Sequence, residues 1–239
     1  MELVAEGAGE ISMVIRKKEL DMKEHYWSRF SRDYDARQER VAGADLLAEI
    51  SGELNALFNL GDVVELGCGT GYFTQAIAKN AKSVVATDLS EEQLSTAATR
   101  FENRSNVRFE KQDCTRTTLD SGAYDTVVAI NVLHVIEHPE DAIAESLRLL
   151  KAGGRLVAIS FTTDGMTPWE KAKMGFRFLQ AWGKPPKYTH VLSLRSLGAF
   201  FEAAGFSTEE MRIVGNRTKA IFGTARKPSE TESSATGVC

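Results

Sequence analysis

The stretch that decides the fold of this 239-residue chain is Val63-Val64-Glu65-Leu66-Gly67-Cys68-Gly69-Thr70-Gly71-Tyr72-Phe73. Its β-branched start predicts a short buried strand, and glycines at alternate positions then predict a turn that opens a helix. Glycine permits positive φ and lets a ligand approach the main chain closely. A ligand there would lie at the carboxyl end of the first strand, where open α/β sheets bind their ligands. A tight turn without any ligand would need the same glycines, so this segment alone does not decide the function.

Around this segment the chain alternates between short β-branched runs and helical patterns. The predicted strands are Asp62–Leu66, Ser83–Asp88, Val107–Phe109, Tyr124–Ile130 and Arg155–Phe161. The predicted helices between them are Phe73–Lys79, Glu91–Phe101 with Ser90 as its N-cap, and Asp141–Lys151 closed by Gly153-Gly154. Parallel strands can be joined only by crossovers, so the alternation predicts an α/β fold with a doubly wound parallel sheet and helices on both faces.

The flanking segments do not continue this alternation. Residues 20–58 read as helical, and the first 40 residues are predicted to be an N-terminal helical cover on a domain spanning 41–226. Residues 162–192 look like a helical insert after the fifth strand. The prediction ends with a helix at Ser193–Ala204 and two closing strands, Thr208–Val214 and Lys219–Thr224. A disordered tail over 227–239 follows them.

Carboxylates follow the predicted strands in order. Asp88 ends the second strand about twenty residues past the first glycine, where a carboxylate can accept hydrogen bonds from ribose hydroxyls. Asp113 follows the third strand and is placed to meet the exocyclic amine of an adenine, with the N–H of Cys114 beside it. Glu65 supplies negative charge immediately before the turn. A single acid at the end of a strand is usually just exposed to solvent. Acids near the ends of three successive predicted strands together indicate a nucleoside site.

With these residues in view, the chain resembles the class I S-adenosylmethionine-dependent methyltransferases, in particular the small-molecule group that includes quinone-ring methyltransferases. Glu65–Gly71 is similar to that family's glycine-rich motif, and Asp88 and Asp113 to its ribose- and adenine-binding acids. Segments Tyr124–His134 and Leu149–Leu156 are similar to its fourth-strand motif and to the helix-turn-strand that follows. The similarity covers roughly residues 40–160. It implies a Rossmann-like, seven-stranded, mostly parallel sheet whose last strand is antiparallel.

The resemblance also implies a site and a reaction. The cofactor would be S-adenosyl-L-methionine, and the methyl group would pass to a small molecule by in-line displacement, with His134 as the candidate general base at a pKa of about 6.5 if unperturbed. His134 could equally be structural, and the aromatic cover residues could equally be packing. The implied cofactor-binding set is Glu65, Gly67, Cys68, Gly69, Gly71, Asp88, Leu89, Asp113, Cys114, Asn131, Tyr26 and Tyr34.

Three other functions have partial support in the sequence. A dinucleotide-binding dehydrogenase would need its third glycine at position 72, which is Tyr. The run from His134 to His138 fits an H-x-x-E-H zinc pattern, but Pro139 pushes His138 out of helical geometry, so no metal is expected. A non-catalytic cofactor sensor, or a partner subunit of another enzyme, would carry the same cofactor residues and stays open.

Composition limits the partners. A net charge of −4 gives no reason to expect nucleic acid, although a local basic patch could touch an acidic substrate; it would draw on Lys171, Lys173, Arg177, Lys184 and Lys187. No apolar run approaches the ~20 residues of a membrane span. Cysteines at 68, 114 and 239 fit no disulfide framework, which favours a reducing cytoplasm. Aromatic and Met residues of the insert suggest an apolar or aromatic acceptor, but they would also serve to pack the insert on the sheet. The oligomeric state is not readable.

Overall fold

A computed structural model describes residues 26–229 of the chain. Its seven strands are β1 Asp62–Leu66, β2 Ser83–Asp88, β3 Val107–Lys111, β4 Tyr124–Ile130, β5 Leu150–Thr162, β6 Ser207–Val214 and β7 Lys219–Arg226. Its helices in the described part are α1 Tyr34–Ala42, α2 Ala44–Ala56, α3 Thr74–Asn80, α4 Glu91–Arg100, α5 Pro139–Leu149, α6 Pro168–Trp182 and α7 Leu194–Ala203. The predicted tail and the first part of the predicted cover lie outside the described residues.

All seven strands form one sheet in the order β3-β2-β1-β4-β5-β7-β6. β1 is parallel to both β2 and β4, so the winding direction reverses between β1 and β4. β7 runs antiparallel to β5 and β6. The α/β class and the seven-stranded sheet with an antiparallel last strand are therefore confirmed.

Neighbouring residues of each central strand face opposite sides of the sheet. Val63 packs in one core and Val64 in the other. The first core lies under α2 and α3, which contribute Ile50 and Ile77. The second lies under α5 and α7, which contribute Ile143, Leu197 and Phe201. A sheet covered on both faces needs strands that are apolar on both faces, and this explains the continuous β-branched runs in the sequence.

Two predicted helix boundaries are wrong by more than one residue, and β3 and β7 each extend beyond their predicted ends, to Lys111 and Arg226. The helical stretch predicted over 20–58 is interrupted at Gly43, whose φ of 87° ends α1 and lets α2 start in a new direction. The helix predicted to reach Lys151 ends at Leu149, because Leu150 already pairs with Tyr124 as the first residue of β5. Gly153-Gly154 therefore lies within β5 and does not close a helix.

The insert packs on the N-terminal segment. Thr167 caps α6 through a capping box with Glu170. A cluster separate from the two sheet cores, which we call the cover cluster, joins the two segments; its members are Trp27, Phe30, Tyr34, Val41, Met174, Phe178, Ala181 and Trp182. The expectation that the aromatic residues of the insert could pack on the sheet does not hold for these residues of α6. The domain boundary at residue 40, which falls inside α1, stays a prediction.

Candidate active site

The carboxyl ends of β1, β2 and β3 are tied into one edge by main-chain hydrogen bonds. The N–H of Cys68, after β1, donates to the carbonyl of Thr87 over 2.8 Å. The N–H of Gln112, after β3, donates to the carbonyl of Asp88 over 3.0 Å. The predicted acids at 65, 88 and 113 therefore come from adjacent strands and meet at the sheet edge next to the reversal of winding, which is where open α/β sheets bind ligands.

The three glycines of the turn all have positive φ, between 54° and 76°, but each has different surroundings. A Cβ on Gly67 would lie 2.5 Å from Val132, so Gly67 allows the turn to touch the loop after β4. A Cβ on Gly71 would meet Phe101 at 3.0 Å and Ala97 at 3.2 Å, so Gly71 allows α4 to pack closely. A Cβ on Gly69 would have no atom within 4 Å. Gly69 is therefore the position where the backbone faces open space that a ligand can enter.

Asp88 is held beside that open backbone. One carboxylate oxygen accepts the N–H of Gly69 and the other accepts the N–H of Ser90, both over 2.9 Å. Ser90 then caps α4, since its hydroxyl accepts the N–H of Gln93. The predicted N-cap is thus confirmed. These contacts fix the Asp88 carboxylate between the glycine turn and the N-terminus of α4.

Glu65 is buried with only 2% of its surface exposed, and its Oε2 accepts a 2.6 Å hydrogen bond from the hydroxyl of Thr74. Burial raises the pKa of Glu65 to about 7; the Thr74 hydrogen bond partly opposes this rise, and the negative charge of Asp88 adds to it. A cation arriving beside Glu65 would favour the ionised carboxylate. This is the behaviour expected of a group that receives an ammonium.

The other strand-end residues are arranged as follows. Asp113 Oδ1 accepts both the N–H of Thr115, over 2.9 Å, and its hydroxyl, over 2.7 Å, so this oxygen stabilises its own turn. Leu89 is half-buried, and Cys68 and Cys114 are buried cysteines. Burial raises the pKa of Cys68 well above its usual value, so that thiol stays protonated. The involvement of these residues with a cofactor stays a prediction.

The loop after β4 brings Asn131 and His134 toward this edge. Asn131 adopts φ 55°, and its Oδ1 accepts the N–H of Phe161 over 3.2 Å. Its Nδ2 is buried and has no hydrogen-bond partner among residues 26–229. An amide left unpaired in this way is a donor available to a ligand.

His134 is partly buried, with Nδ1 at 3.1 Å from the hydroxyl of Ser160. Burial lowers the pKa of His134 to about 4, so the near-neutral value of an unperturbed ring does not apply here. His134 lies in a turn, whereas His138 is the N-cap of α5, so the two histidines do not share a helical turn. Within residues 26–229, no cluster of three His, Cys, Asp or Glu side chains is arranged to hold a metal ion.

The N-terminal segment is bound to this edge by contacts that the sequence did not indicate. Asp35 accepts a 2.5 Å hydrogen bond from the hydroxyl of Thr70 in the glycine turn and a 2.6 Å charged hydrogen bond from Arg100 on α4. The hydroxyls of Ser28 and Ser90 lie 2.7 Å apart. No spacing rule connects these positions, because their partners lie far away in the sequence.

The two predicted tyrosines of the cover lie in different places. Burial raises the pKa of Tyr34 above its ordinary range, and the nearby carboxylates of Asp88 and Asp35 raise it further, so Tyr34 lies close to Asp88. The hydroxyl of Tyr26 donates to the carbonyls of Trp182 and Lys184 over 3.2 and 3.3 Å. This hydroxyl therefore connects the cover with the insert. A role of either tyrosine in cofactor binding stays a prediction.

The strand order, the glycine turn and the row of acids define a Rossmann-like, class I methyltransferase fold. Residues 64–158 match a family model described as a methyltransferase domain, so this part of the chain is similar to that family.

Two curated relatives are similar over about half of the chain. A malonyl-[acyl-carrier protein] O-methyltransferase from Paenibacillus sp. (strain JDR-2) is 33% identical over 61% of this chain and 55% of the relative. A demethylmenaquinone methyltransferase from Clavibacter sepedonicus is 32% identical over 52% of this chain and 47% of the relative. The chain thus spans about half the length of the curated relatives it matches.

Among solved structures, a Haemonchus contortus phosphoethanolamine N-methyltransferase in complex with S-adenosylhomocysteine superposes with a TM-score of 0.67. The superposition covers 87% of this chain and 61% of that chain at 15% identity, which shows a common fold.

Proposed function

We propose that the protein binds S-adenosyl-L-methionine at the glycine turn and transfers its methyl group to a small molecule. The observation that carries the proposal is the carboxylate of Asp88, fixed by two backbone N–H groups beside the open backbone of Gly69. A carboxylate at the end of the second strand is the group that binds ribose hydroxyls in nucleoside sites on this kind of sheet.

The residues present fit this cofactor. Gly69 leaves room for close approach to the main chain, and Asn131 Nδ2 is a buried donor without a partner in the described part of the chain. Glu65, with its raised pKa, gains its charge when an ammonium group lies beside it. Asp88 would hold the ribose and Asp113 the adenine. When bound, S-adenosylmethionine supplies a methyl group activated by its sulfonium.

The residues of the chain orient the acceptor and exclude water. Holding an acceptor in line with the methyl group and sulfur can remove about 7–11 kcal/mol of the barrier. The cover, bonded to Thr70 and Arg100 through Asp35, closes over this edge and keeps water out. His134 is neutral at pH 7 because its pKa is about 4, so it can accept a proton, although as a weak base. It therefore suits an acceptor that needs little help to lose its proton.

The aromatic side chains of the cover cluster support an apolar or aromatic acceptor. Trp27 and Phe30 pack edge to face on Trp182, and the ring of Tyr34 packs on it at a tilt. The relatives named above for malonyl-[acyl-carrier protein] and for demethylmenaquinone support an acceptor that is not a nucleic acid. A cytoplasmic location, inferred from the free cysteines, remains part of the proposal. None of the helices described between residues 26 and 229 is both long and apolar enough to cross a membrane.

Titration calorimetry with S-adenosylmethionine tests the cofactor. We expect saturable binding by the wild type and a loss of about 1–3 kcal/mol in Asp88→Ala, since hydrogen bonds to one partner are removed. The control is Asp120→Ala, which removes an exposed acid from a loop before β4. No heat of binding with correctly folded wild type would refute the proposal. Formation of S-adenosylhomocysteine with a pool of small metabolites then separates an enzyme from a cofactor sensor.

A further inference from the structure

Helix α6 carries apolar side chains on two opposite sides. On one side, Met174, Phe178 and Trp182 pack in the cover cluster. On the other side, Trp169, Phe176 and Leu179 are 76%, 62% and 55% exposed. With 3.6 residues per turn, these three positions fall within an arc of about 80°, so they form one stripe along the helix. A helix that is apolar on both sides is normally buried on both sides.

The exposed stripe lies in the most basic part of an acidic chain. Residues 168–187 contain one acid, Glu170, and that carboxylate is engaged by Thr167 in the capping box. The same segment contains five basic residues, and all except Arg177 are exposed; they are Lys171, Lys173, Arg177, Lys184 and Lys187. Since the whole chain has a net charge of −4, this surface attracts an anionic partner that the rest of the molecule repels.

The size of the stripe limits what that partner is. The 15 residues of α6 make a face about 22 Å long and about 10 Å wide. A stable protein–protein interface needs about 800 Å² from each partner, well above what this face offers. Exposed Trp, Phe and Leu with Lys on the flanks are instead the composition of helices that lie in the plane of a membrane surface.

We propose that the stripe Trp169–Phe176–Leu179, with the surrounding lysines, docks the protein on the surface of an anionic lipid bilayer. The rings enter the boundary between head groups and acyl chains, while the lysines contact lipid phosphates. The helix lies on the membrane and does not cross it. This inference does not depend on the proposed methyl transfer.

Co-sedimentation of the full-length protein with vesicles tests the docking. We expect binding to vesicles of equal parts phosphatidylcholine and phosphatidylglycerol, and little binding to pure phosphatidylcholine. Trp169→Ser combined with Phe176→Ser is expected to weaken binding about tenfold or more. Phe58→Ser is the matched control, because Phe58 is 70% exposed on a different part of the molecule, and it should bind like the wild type. Thermal melts followed by circular dichroism check that each variant is folded.

A charge series tests the electrostatic part. Lys173→Gln, which removes a lysine next to the stripe on the helix surface, should weaken binding roughly fivefold, while Lys79→Gln, which removes an exposed lysine of α3, should not. Equal binding to both kinds of vesicle, or variants that bind like the wild type, would overturn the proposal.

Three other results would assign the stripe to a different occupant and overturn the proposal as well. One is a concentration-dependent dimer that is lost in the Trp169/Phe176 variant, which would mean a second copy. Another is binding to soluble polyglutamate without binding to vesicles, which would mean an acidic polypeptide. The third concerns the fluorescence of Trp169, obtained by subtracting the spectrum of Trp169→Ser from that of the wild type. If this emission is already blue-shifted without vesicles and does not change when vesicles are added, residues 1–25 cover the stripe.

Discussion

At position 67 the hydrogen side chain of glycine decides whether the site can form. Gly67 has a φ of 70°, and a Cβ there would lie 2.5 Å from the Val132 side chain, so both the backbone and the space exclude a larger residue. Gly67→Ala should therefore destabilise the protein by about 1–3 kcal/mol, measured by urea unfolding, and weaken cofactor binding. Gly52→Ala is the control: Gly52 is helical with open space around it, so the same change should stabilise by up to about 1 kcal/mol. Equal effects of the two changes would show that Gly67 is not under this constraint.

Single residues also show which parts of the site a sequence can reveal. The glycine turn and the acids near the carboxyl ends of β1, β2 and β3 could be predicted, because each depends on its position at the end of a strand. The pKa values of the site residues could not be predicted from the sequence. Glu65 and His134 have ordinary neighbours in the sequence, but burial raises the pKa of the first to about 7 and lowers that of the second to about 4. Burial depends on segments that pack from elsewhere in the chain.

At the scale of elements, the most consequential contact is the attachment of the cover. Asp35, on α1, binds both the glycine turn through Thr70 and α4 through Arg100. Asp35→Asn should weaken the ion pair with Arg100 and loosen the cover while the sheet stays folded. We expect faster proteolysis N-terminal to α1 and a several-fold weaker affinity for S-adenosylmethionine, with a urea midpoint close to that of the wild type.

The matched control for this change is Asp45→Asn, an exposed acid in the first turn of α2. It should leave both protease sensitivity and affinity unchanged. If Asp35→Asn behaves like the control, the cover is held by its aromatic cluster alone. Arg100→Gln removes the same ion pair from the other side, so it should reproduce the effect of Asp35→Asn.

The order and type of most elements followed from hydrophobic period and turn residues, because βα units are decided locally. The packing partners of α6 did not follow from these local signals. Its sequence is compatible with packing on the sheet, but Trp182 of α6 packs against Trp27 and Phe30 of the N-terminal segment. Such a pairing joins residues more than a hundred positions apart, and no short pattern carries information about it. The early start of β5 at Leu150 has a similar origin, since it depends on pairing with Tyr124.

For the whole molecule, two buried groups give stability opposite dependences on pH. Glu65 keeps its proton in the folded state up to a pKa of about 7, against 4.5 for an ordinary glutamate. Its contribution to the free energy of unfolding is fully present below pH 4.5 and is lost as the pH rises to about 7. His134 has a folded pKa of about 4, against 6.5 for an ordinary histidine. Its contribution is present above pH 6.5 and is lost as the pH falls to about 4.

Each of these pKa shifts corresponds to roughly 3 kcal/mol of unfolding free energy. Between pH 4.5 and 6.5 the two opposite pH dependences of that free energy therefore nearly cancel in the wild type. Single variants should separate them in urea titrations without cofactor. Glu65→Gln should gain stability relative to the wild type, by up to roughly 3 kcal/mol, as the pH rises from 4.5 to 8, because Gln resembles the neutral acid. His134→Gln should gain relative to the wild type as the pH falls from 6.5 to 4. Glu202→Gln, an exposed position on α7, should show neither trend. Parallel curves for all four proteins would mean that Glu65 and His134 titrate as they do in water, and that the carboxyl edge of the sheet is open to solvent.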